Sequence, residues 1–216
     1  MLTIKQFTFN PIQENTYVIY HEKGECCVVD PGCYFSNERN ELKNFIADRK
    51  LRPKYLLNTH CHLDHIFGNK FVADQYGLTL HFHSKEKLVF DNAPASGLMF
   101  GLPFEQYKGE IIYIDEGSTI SLDDEKLEVL FTPGHSPGSV SFYSVSHGFV
   151  LGGDVLFNMG VGRTDLPGGN FDTLVKSIRT KLFVLPPSVV VYSGHGPQTT
   201  VGYEKLHNPF LQESSA

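Results

Sequence analysis

The chain has 216 residues, 41% of them hydrophobic and 19% charged, which is the make-up of a globular protein long enough to bury a substantial core. Its formal net charge of -6 argues against nucleic acid and anionic membrane as partners, because both call for basic patches. No stretch approaches the roughly 20 apolar residues of a membrane span, no basic-then-apolar leader opens the chain, and Cys26, Cys27, Cys33 and Cys61 form no CxxC pair, so they read as reduced thiols of a cytoplasmic protein.

Residues 1–30 read as β structure. Leu2, Ile4, Gln6 and Thr8 alternate with Thr3, Lys5, Phe7 and Phe9, and the β-branched or aromatic runs Thr16 to Tyr20 and Cys26 to Val29 are divided by a turn around Lys23-Gly24. Asn40 to Lys50 places Leu42, Phe45 and Ile46 on one face, an amphipathic helix that Pro53 closes off. Tyr55-Leu56-Leu57 is a short buried strand running into Thr59-His60-Cys61-His62-Leu63-Asp64-His65. Ile66 to Tyr76 is expected to be helical, with Gly77 ending it, and Leu78 to Phe82 extended. Asp91 to Lys108 has no clear period and reads as a long loop, of the kind that often carries function. Leu127 to Phe131, Val140 to Val145 and Phe149 to Leu151 read as strands. Phe171, Leu174, Val175, Ile178 and Leu182 mark a second helix, Val189 to Tyr192 a further strand, and Thr200 to His207 a short closing helix. Two β-rich halves, each followed by helices, predict an α+β sandwich of two sheets with helices outside, and no linker divides residues 1–216.

Three histidines and an aspartate within the 60–65 stretch offer imidazole nitrogen and carboxylate oxygen, the donors that suit divalent transition metals. Four donors packed so tightly are too many for one catalytic ion that must keep a position open for water. They point to two neighbouring ions, with His60 and His62 serving one and Asp64 and His65 the other. Cys61 in an extended segment faces away from His60 and His62. Three further strand-like runs end in glycine- or proline-punctuated loops carrying His or Asp: Thr132-Pro133-Gly134-His135-Ser136-Pro137-Gly138, Gly152-Gly153-Asp154 and Ser193-Gly194-His195-Gly196. Loops at strand ends are where a rigid scaffold builds sites, and glycine beside a donor allows close backbone approach. His21, His147 and His207 stand alone and read as surface residues, while His81 and His83 have HxH spacing but no acidic or cysteine partner close behind. Asp30, in Val29-Asp30-Pro31-Gly32, either buttresses the donor loops or simply forms a turn.

The set THCHLDH, TPGHSPGS, GGD and SGHG resembles the metallo-β-lactamase superfamily, and within it the glyoxalase II group in its short bacterial form. Gly162-Arg163-Thr164-Asp165, Lys181 to Pro186 and Gly202-Tyr203-Glu204-Lys205 share that likeness, which extends over nearly the whole chain. The resemblance implies one αββα sandwich domain of four layers with the metal site at one edge. It implies that His60, His62 and His135 hold one divalent ion, that Asp64, His65 and His195 hold the second, and that Asp154 and a hydroxide bridge the two. Zinc is the first expectation, with iron and manganese also suited to His/Asp ligation. With two divalent ions, the two carboxylates and a hydroxide leave roughly one net positive charge, which favours an anionic substrate or a developing oxyanion.

The activity implied is hydrolysis of a small anionic thioester such as S-lactoylglutathione, with the bridging hydroxide as nucleophile and Asp64 and Asp154 as the carboxylates of the reacting centre. The longer enzymes of the group grip glutathione with an added helical domain, for which Gly196 to Ala216 leaves no room. Arg163 is the candidate anion contact, or else pairs with Asp165 to fix its loop. The 91–108 segment, with Met99 and Phe100, either walls the cleft or packs as a surface loop. The alternative activity on this scaffold is a persulfide dioxygenase with a single iron.

Overall fold

Side chains of successive strand residues point to opposite faces of a sheet, and here both faces are buried. Val18, Cys26, Val28 and Leu56 belong to one core, while their neighbours Ile19, Cys27, Val29 and Leu57 belong to a second. A computed structural model describes residues 1–212, so residues 213–216 of the expected 1–216 unit lie outside the described part. The first sheet has the order β1 (Leu2–Phe9), β2 (Glu14–His21), β3 (Glu25–Val29), β4 (Arg52–Leu57), β5 (Leu80–Phe82) and β6 (Ile111–Tyr113). The second runs β7 (Thr119–Leu122), β8 (Glu125–Phe131), β9 (Val140–Ser144), β10 (Phe149–Gly153), β13 (Val190–Ser193) and β14 (Thr199–Thr200). A separate hairpin pairs β11 (Leu156–Phe157) with β12 (Gly160–Val161).

Three apolar clusters separate four layers, so the αββα sandwich expected from the sequence is the architecture observed. One cluster packs α1 (Ser36–Asp48), α3 (Asn69–Tyr76) and α4 (Lys87–Met99) on the outer face of the first sheet through Leu42, Ile46, Val72 and Phe90. The second fills the space between the sheets, where Ile19 and Leu57 meet Leu127, Phe142 and Leu151. The third packs Tyr143, Val150 and Val191 against α5 (Phe171–Ser177), the π-helical turn Ile178–Leu182 that extends it, and α6 (Val201–His207). Each fully buried Leu, Ile or Phe contributes about 1.5–3 kcal/mol relative to exposure, so these clusters hold the layers in register.

Three segments differ from the sequence expectation. The stretch from Ile66 to Tyr76 is two helices, α2 (Leu63–Ile66) and α3, with Gly77 closing α3 at φ 66° as predicted. Asp91 to Met99 is not loop but most of α4. Asn92, Pro94, Ser96 and Gly97 are poor helix formers, which hides the helix from a propensity reading. Burial of Phe90, Ala93 and Gly97 holds it in place. Pro94 cannot donate to the carbonyl of Phe90, and the Gln106 side-chain amide donates to that oxygen instead. The edge strands β6 and β7 and the β11–β12 hairpin are too short for pattern reading to separate from loop.

Candidate metal centre

β4, β8, β10 and β13 all end at one edge of the sandwich, and each passes a donor segment into the same place. From β4 the chain delivers His60 and His62, and the loop after β8 delivers His135. His135 Nε2 lies 3.2 Å from His60 Nε2 and 2.8 Å from His62 Nδ1. Three imidazole nitrogens thus converge within 4.8 Å of one another, one face of a tetrahedral site. Beside them, Asp64 and His65 from α2 meet His195 from the loop after β13, forming a second set within the same limit of 4.8 Å. His195 Nε2 is 3.1 Å from Asp64 Oδ2, and His65 Nε2 is 3.6 Å from the same oxygen.

Asp154, at the end of β10, stands between the sets. Its Oδ2 is 3.5 Å from His135 Nε2 and 3.6 Å from His195 Nε2, and its Oδ1 is 3.5 Å from His65 Nε2. Close approach is made possible by Gly194 and Gly162. A Cβ on the first would strike Asp154 Oδ1, and a Cβ on the second would strike the Asp154 carbonyl oxygen. His65 Nε2 and Asp154 Oδ1 are buried without a hydrogen-bond partner. Buried polar atoms are costly to leave unpaired, and these two face the space between the donor sets. Facing lone pairs, bridging carboxylate and orphaned atoms fit a pair of divalent cations. All seven donors expected from the sequence are therefore brought together.

The outer nitrogens of the ligand candidates are held by oxygen, which fixes ring orientation. His60 Nδ1 is 3.0 Å from Thr59 Oγ1, His135 Nδ1 is 2.7 Å from the Arg163 carbonyl, and His195 Nδ1 is 3.1 Å from the Gln13 carbonyl. His65 Nδ1 lies 3.2 Å from Asp30 Oδ2. Asp30 also accepts from the Thr59 amide at 2.7 Å and the Thr59 hydroxyl at 2.6 Å. It does so from the left-handed region at φ 48°, a conformation that surrounding structure must impose. Of the two sequence readings of Asp30, buttress and turn former, the buttress is what the hydrogen bonds describe.

Sequence reasoning missed three further supports. Glu86, fully buried, accepts from the Cys61 amide (2.8 Å), the Ser136 hydroxyl (2.6 Å) and the Gly138 amide (2.6 Å), tying the first donor loop to the second. The Asn15 side-chain amide donates to the carbonyls of Ser193 (3.1 Å) and Gly196 (2.9 Å), and the Tyr17 hydroxyl to Ser193 (2.6 Å), bracing the His195 loop. Glu14, also fully buried, accepts from the Thr16 hydroxyl and leaves Oε1 unpaired near His65. No sequence signal marks Glu86, Asn15 or Tyr17, because these partners lie far along the chain.

Electrostatics divides the two sets. Burial and the surrounding imidazoles hold His60 well below the usual histidine range, and burial brings His62 down to about 3 and also lowers His135. These rings stay neutral and keep lone pairs free. Burial works against the charged form of His65, but Asp64 and Asp154 outweigh it and push the ring well up. His195 follows the same sense, as its hydrogen bond to Asp64 overcomes burial. Burial likewise opposes ionisation of Asp64 and Asp154, yet His65 keeps both carboxyls below the usual range.

The centre forms the floor of a cavity of about 940 Å³ lined on one side by α4 and on the other by Phe157, Val161 and Leu166. Arg163 lines it too, but its guanidinium makes two 2.7 Å hydrogen bonds to Asp165, one to each carboxylate oxygen. Cys61 is buried, and among the described residues it belongs to no cluster of metal donors. The lone histidines need correction. His21 is buried between Asp123 (3.2 Å) and Asp124 (3.1 Å), and His147 is half-buried 3.0 Å from Glu125. Only His207 is exposed, against the Tyr203 ring. His81 and His83 are both buried, His83 lies 3.2 Å from Asp115, and neither joins a donor cluster among the described residues.

A four-layer αββα sandwich with His and Asp donors at one edge defines the class of metal-dependent enzymes built on the metallo-β-lactamase fold. The chain belongs to the metallo-β-lactamase superfamily, whose profile matches residues 9–195. It is 35% identical over 216 residues to the hydroxyacylglutathione hydrolase GloC of Haemophilus influenzae, covering 99% of this chain and 100% of that protein. Among solved structures, BLEG-1, described as a B3 metallo-β-lactamase, superposes with a TM-score of 0.88 at 37% identity, covering 98% of this chain and 100% of its own. TTHA1623, solved in a di-iron-bound form, superposes with a TM-score of 0.86 at 34% identity, covering 96% of this chain and 100% of its own. Among the described residues no helix is long and apolar enough to cross a membrane.

Proposed function

We propose that this protein is a binuclear metal-dependent hydrolase that cleaves a small anionic thioester, of which S-lactoylglutathione is the first to test. The observation that carries the reading is the pair of facing donor sets, His60/His62/His135 and Asp64/His65/His195, joined by Asp154 at the floor of an open cleft. The likeness to GloC supports the thioester. Zinc is the metal we expect first, and the di-iron form of TTHA1623 keeps iron beside it. We read residues 1–216 as one hydrolase unit, and the four buried free cysteines favour a cytoplasmic setting.

Two divalent cations held there would polarise the thioester carbonyl and lower the pKa of an attacking water from about 16 toward neutrality. The chain supplies the rest. As carboxylates, Asp64 and Asp154 would offset the cation charge. The outer hydrogen bonds from Thr59, Asp30, Gln13 and Arg163 keep the imidazoles aimed inward. Arg163, at the cleft wall, is paired with Asp165 and meets an anionic substrate only on leaving that pair. The apolar walls limit bulk water around the scissile bond. The leaving group is a thiolate whose conjugate acid has a pKa near about 8.5, so it departs without a general acid.

Purified protein loaded with zinc should hydrolyse S-lactoylglutathione and lose that activity on treatment with a chelator. Rates no higher than those of the metal-free protein would sink the thioester reading. One iron per chain with oxygen uptake on glutathione persulfide would replace it with the dioxygenase, and turnover confined to a β-lactam would replace it with a lactamase.

A further inference from the structure

The metal-facing floor of the cavity is polar, while its walls are mostly apolar, with Lys85, Asn92, Ser96 and Arg163 interspersed. Val89, Ala93, Ser96 and Phe100 follow the spacing of one helical face, so α4 turns a single stripe toward the cleft. Leu88 stands beside the stripe. Leu88 and Phe100 are 72% and 64% exposed, although both line a cavity that ends in a charged metal centre. Exposed large apolar side chains gathered in a concave site mark a surface that a ligand covers. Across the gap stand Phe157, Val161 and Leu166, and the Phe157 ring packs edge-on to His195 with ring centres 6.4 Å apart. That contact brings the apolar wall directly to the second donor set.

Charged partners are scarce in the same lining. Arg163 is matched by Asp165. Lys85 lies 4.7 Å over the Phe131 ring. A tripeptide thiol carrying two carboxylates and an ammonium group finds one lysine, Lys85, and an arginine already paired. A chain of methylenes, or an aryl ring, finds two facing apolar walls and a 940 Å³ space.

We propose that the substrate carries an alkyl or aryl arm of several carbons that lies along α4, between Leu88, Val89 and Phe100 on one side and Phe157, Val161 and Leu166 on the other. Taken with the thioester reading, on which this part rests, the preferred substrate is an apolar acyl thioester rather than a short hydroxyacyl one. The arm gains affinity by burying exposed apolar surface, and each buried methylene strengthens binding by roughly threefold to fourfold.

The test separates the wall from the reaction. Binding of the straight-chain carboxylates from butanoate to octanoate to the zinc-loaded protein is measured by calorimetry at neutral pH. Dissociation constants are expected to fall at least about tenfold across the series. In the double variant Leu88→Ser, Phe100→Ser, checked for native circular dichroism, most of that slope disappears while the weakest ligand binds as before. A dissociation constant independent of chain length overturns the proposal, as does an unchanged slope in the variant or no detectable octanoate binding at millimolar concentration. In parallel, hydrolysis of lactoyl, butanoyl and hexanoyl thioesters of glutathione is compared. If none is cleaved, the thioester reading fails while the carboxylate slope still decides the wall. If all are cleaved equally, the reaction stands and the apolar preference falls.

Discussion

The floor and the wall of the cleft are built by different physics. On the floor, His60, His65 and His135 are almost completely buried, and the outer nitrogen of each is held by an oxygen. Asp30 braces the first donor segment through Asn58, Thr59 and His65, and Glu86 ties that segment to the His135 loop through Cys61, Ser136 and Gly138. The wall is a helix with an internal proline, a carbonyl satisfied by a distant glutamine and large apolar side chains left in solvent. Chemistry at a metal pair requires donors fixed to fractions of an ångström, and only a dense network of buried polar contacts fixes them so. Shape recognition of an apolar group tolerates far more play. The floor should therefore fail abruptly when altered, and the wall gradually.

The largest effect is expected at Asp154, the carboxylate shared by both donor sets. Asp154→Ala removes a negative charge and the link between His135, His65 and His195. Thioester kcat/KM should fall by at least about a thousandfold, with metal content per chain dropping in parallel. A variant that keeps both metals and loses less than tenfold would break the claim that Asp154 joins the sets.

Glu86→Gln probes the network one step behind the donors. Glutamine offers one acceptor oxygen where Glu86 takes bonds on both oxygens from Cys61, Ser136 and Gly138. At least one buried donor is then left unpaired, which costs about 1–3 kcal/mol. Metal affinity should weaken by roughly tenfold to a hundredfold as the first donor loop loosens. The pH dependence has a definite sign. Burial raises the Glu86 carboxyl above its unfolded value against the pull of its hydrogen bonds. Its contribution to stability is thus complete below the unfolded carboxylate pKa and is lost as pH rises through the raised folded value. The stability advantage of the native protein over Glu86→Gln should be greatest in acid and shrink as pH rises above the ordinary carboxylate range, read from melts of the metal-free proteins. An advantage that grows with pH would contradict the assignment.

The same division explains what could be read from the sequence. All seven candidate donors follow strand-like runs, four of them crowded into residues 60–65 and three, His135, Asp154 and His195, beside glycine, so residue type and local spacing expose them. The four layers follow from apolar runs such as Cys26 to Val29, which bury both faces of the sheet. Glu86, Asn15 and Tyr17 are invisible at that range, since their partners lie from 25 to 181 residues away. The α4 helix is hidden for another reason. Asn92, Pro94, Ser96 and Gly97 disfavour helix, and the burial that overrides them depends on packing against a sheet assembled from elsewhere in the chain.

The smallest effect tests the rim, where Arg163 joins floor and wall. Its carbonyl accepts from His135, while its side chain reaches out to Asp165. The hydrogen bonds from Arg163 hold the Asp165 carboxyl down at about 2, so the pair stays charged throughout the working range. Both side chains are more than half exposed, at 61% and 66%, so the pair adds little to stability. Asp165→Asn should leave the melting temperature unchanged and metal content intact, because the His135 contact comes from the backbone. Freed of its partner, the guanidinium becomes available to an anionic substrate. KM should fall a few-fold at low ionic strength, and the gain should vanish in high salt, where exposed charges are screened. A rise in KM would mean that Asp165 aims Arg163 at the substrate, so that the rim behaves as an extension of the floor. A loss of metal would mean the loop needs this pair to hold His135, and the boundary between rigid floor and tolerant wall would then lie beyond residue 165.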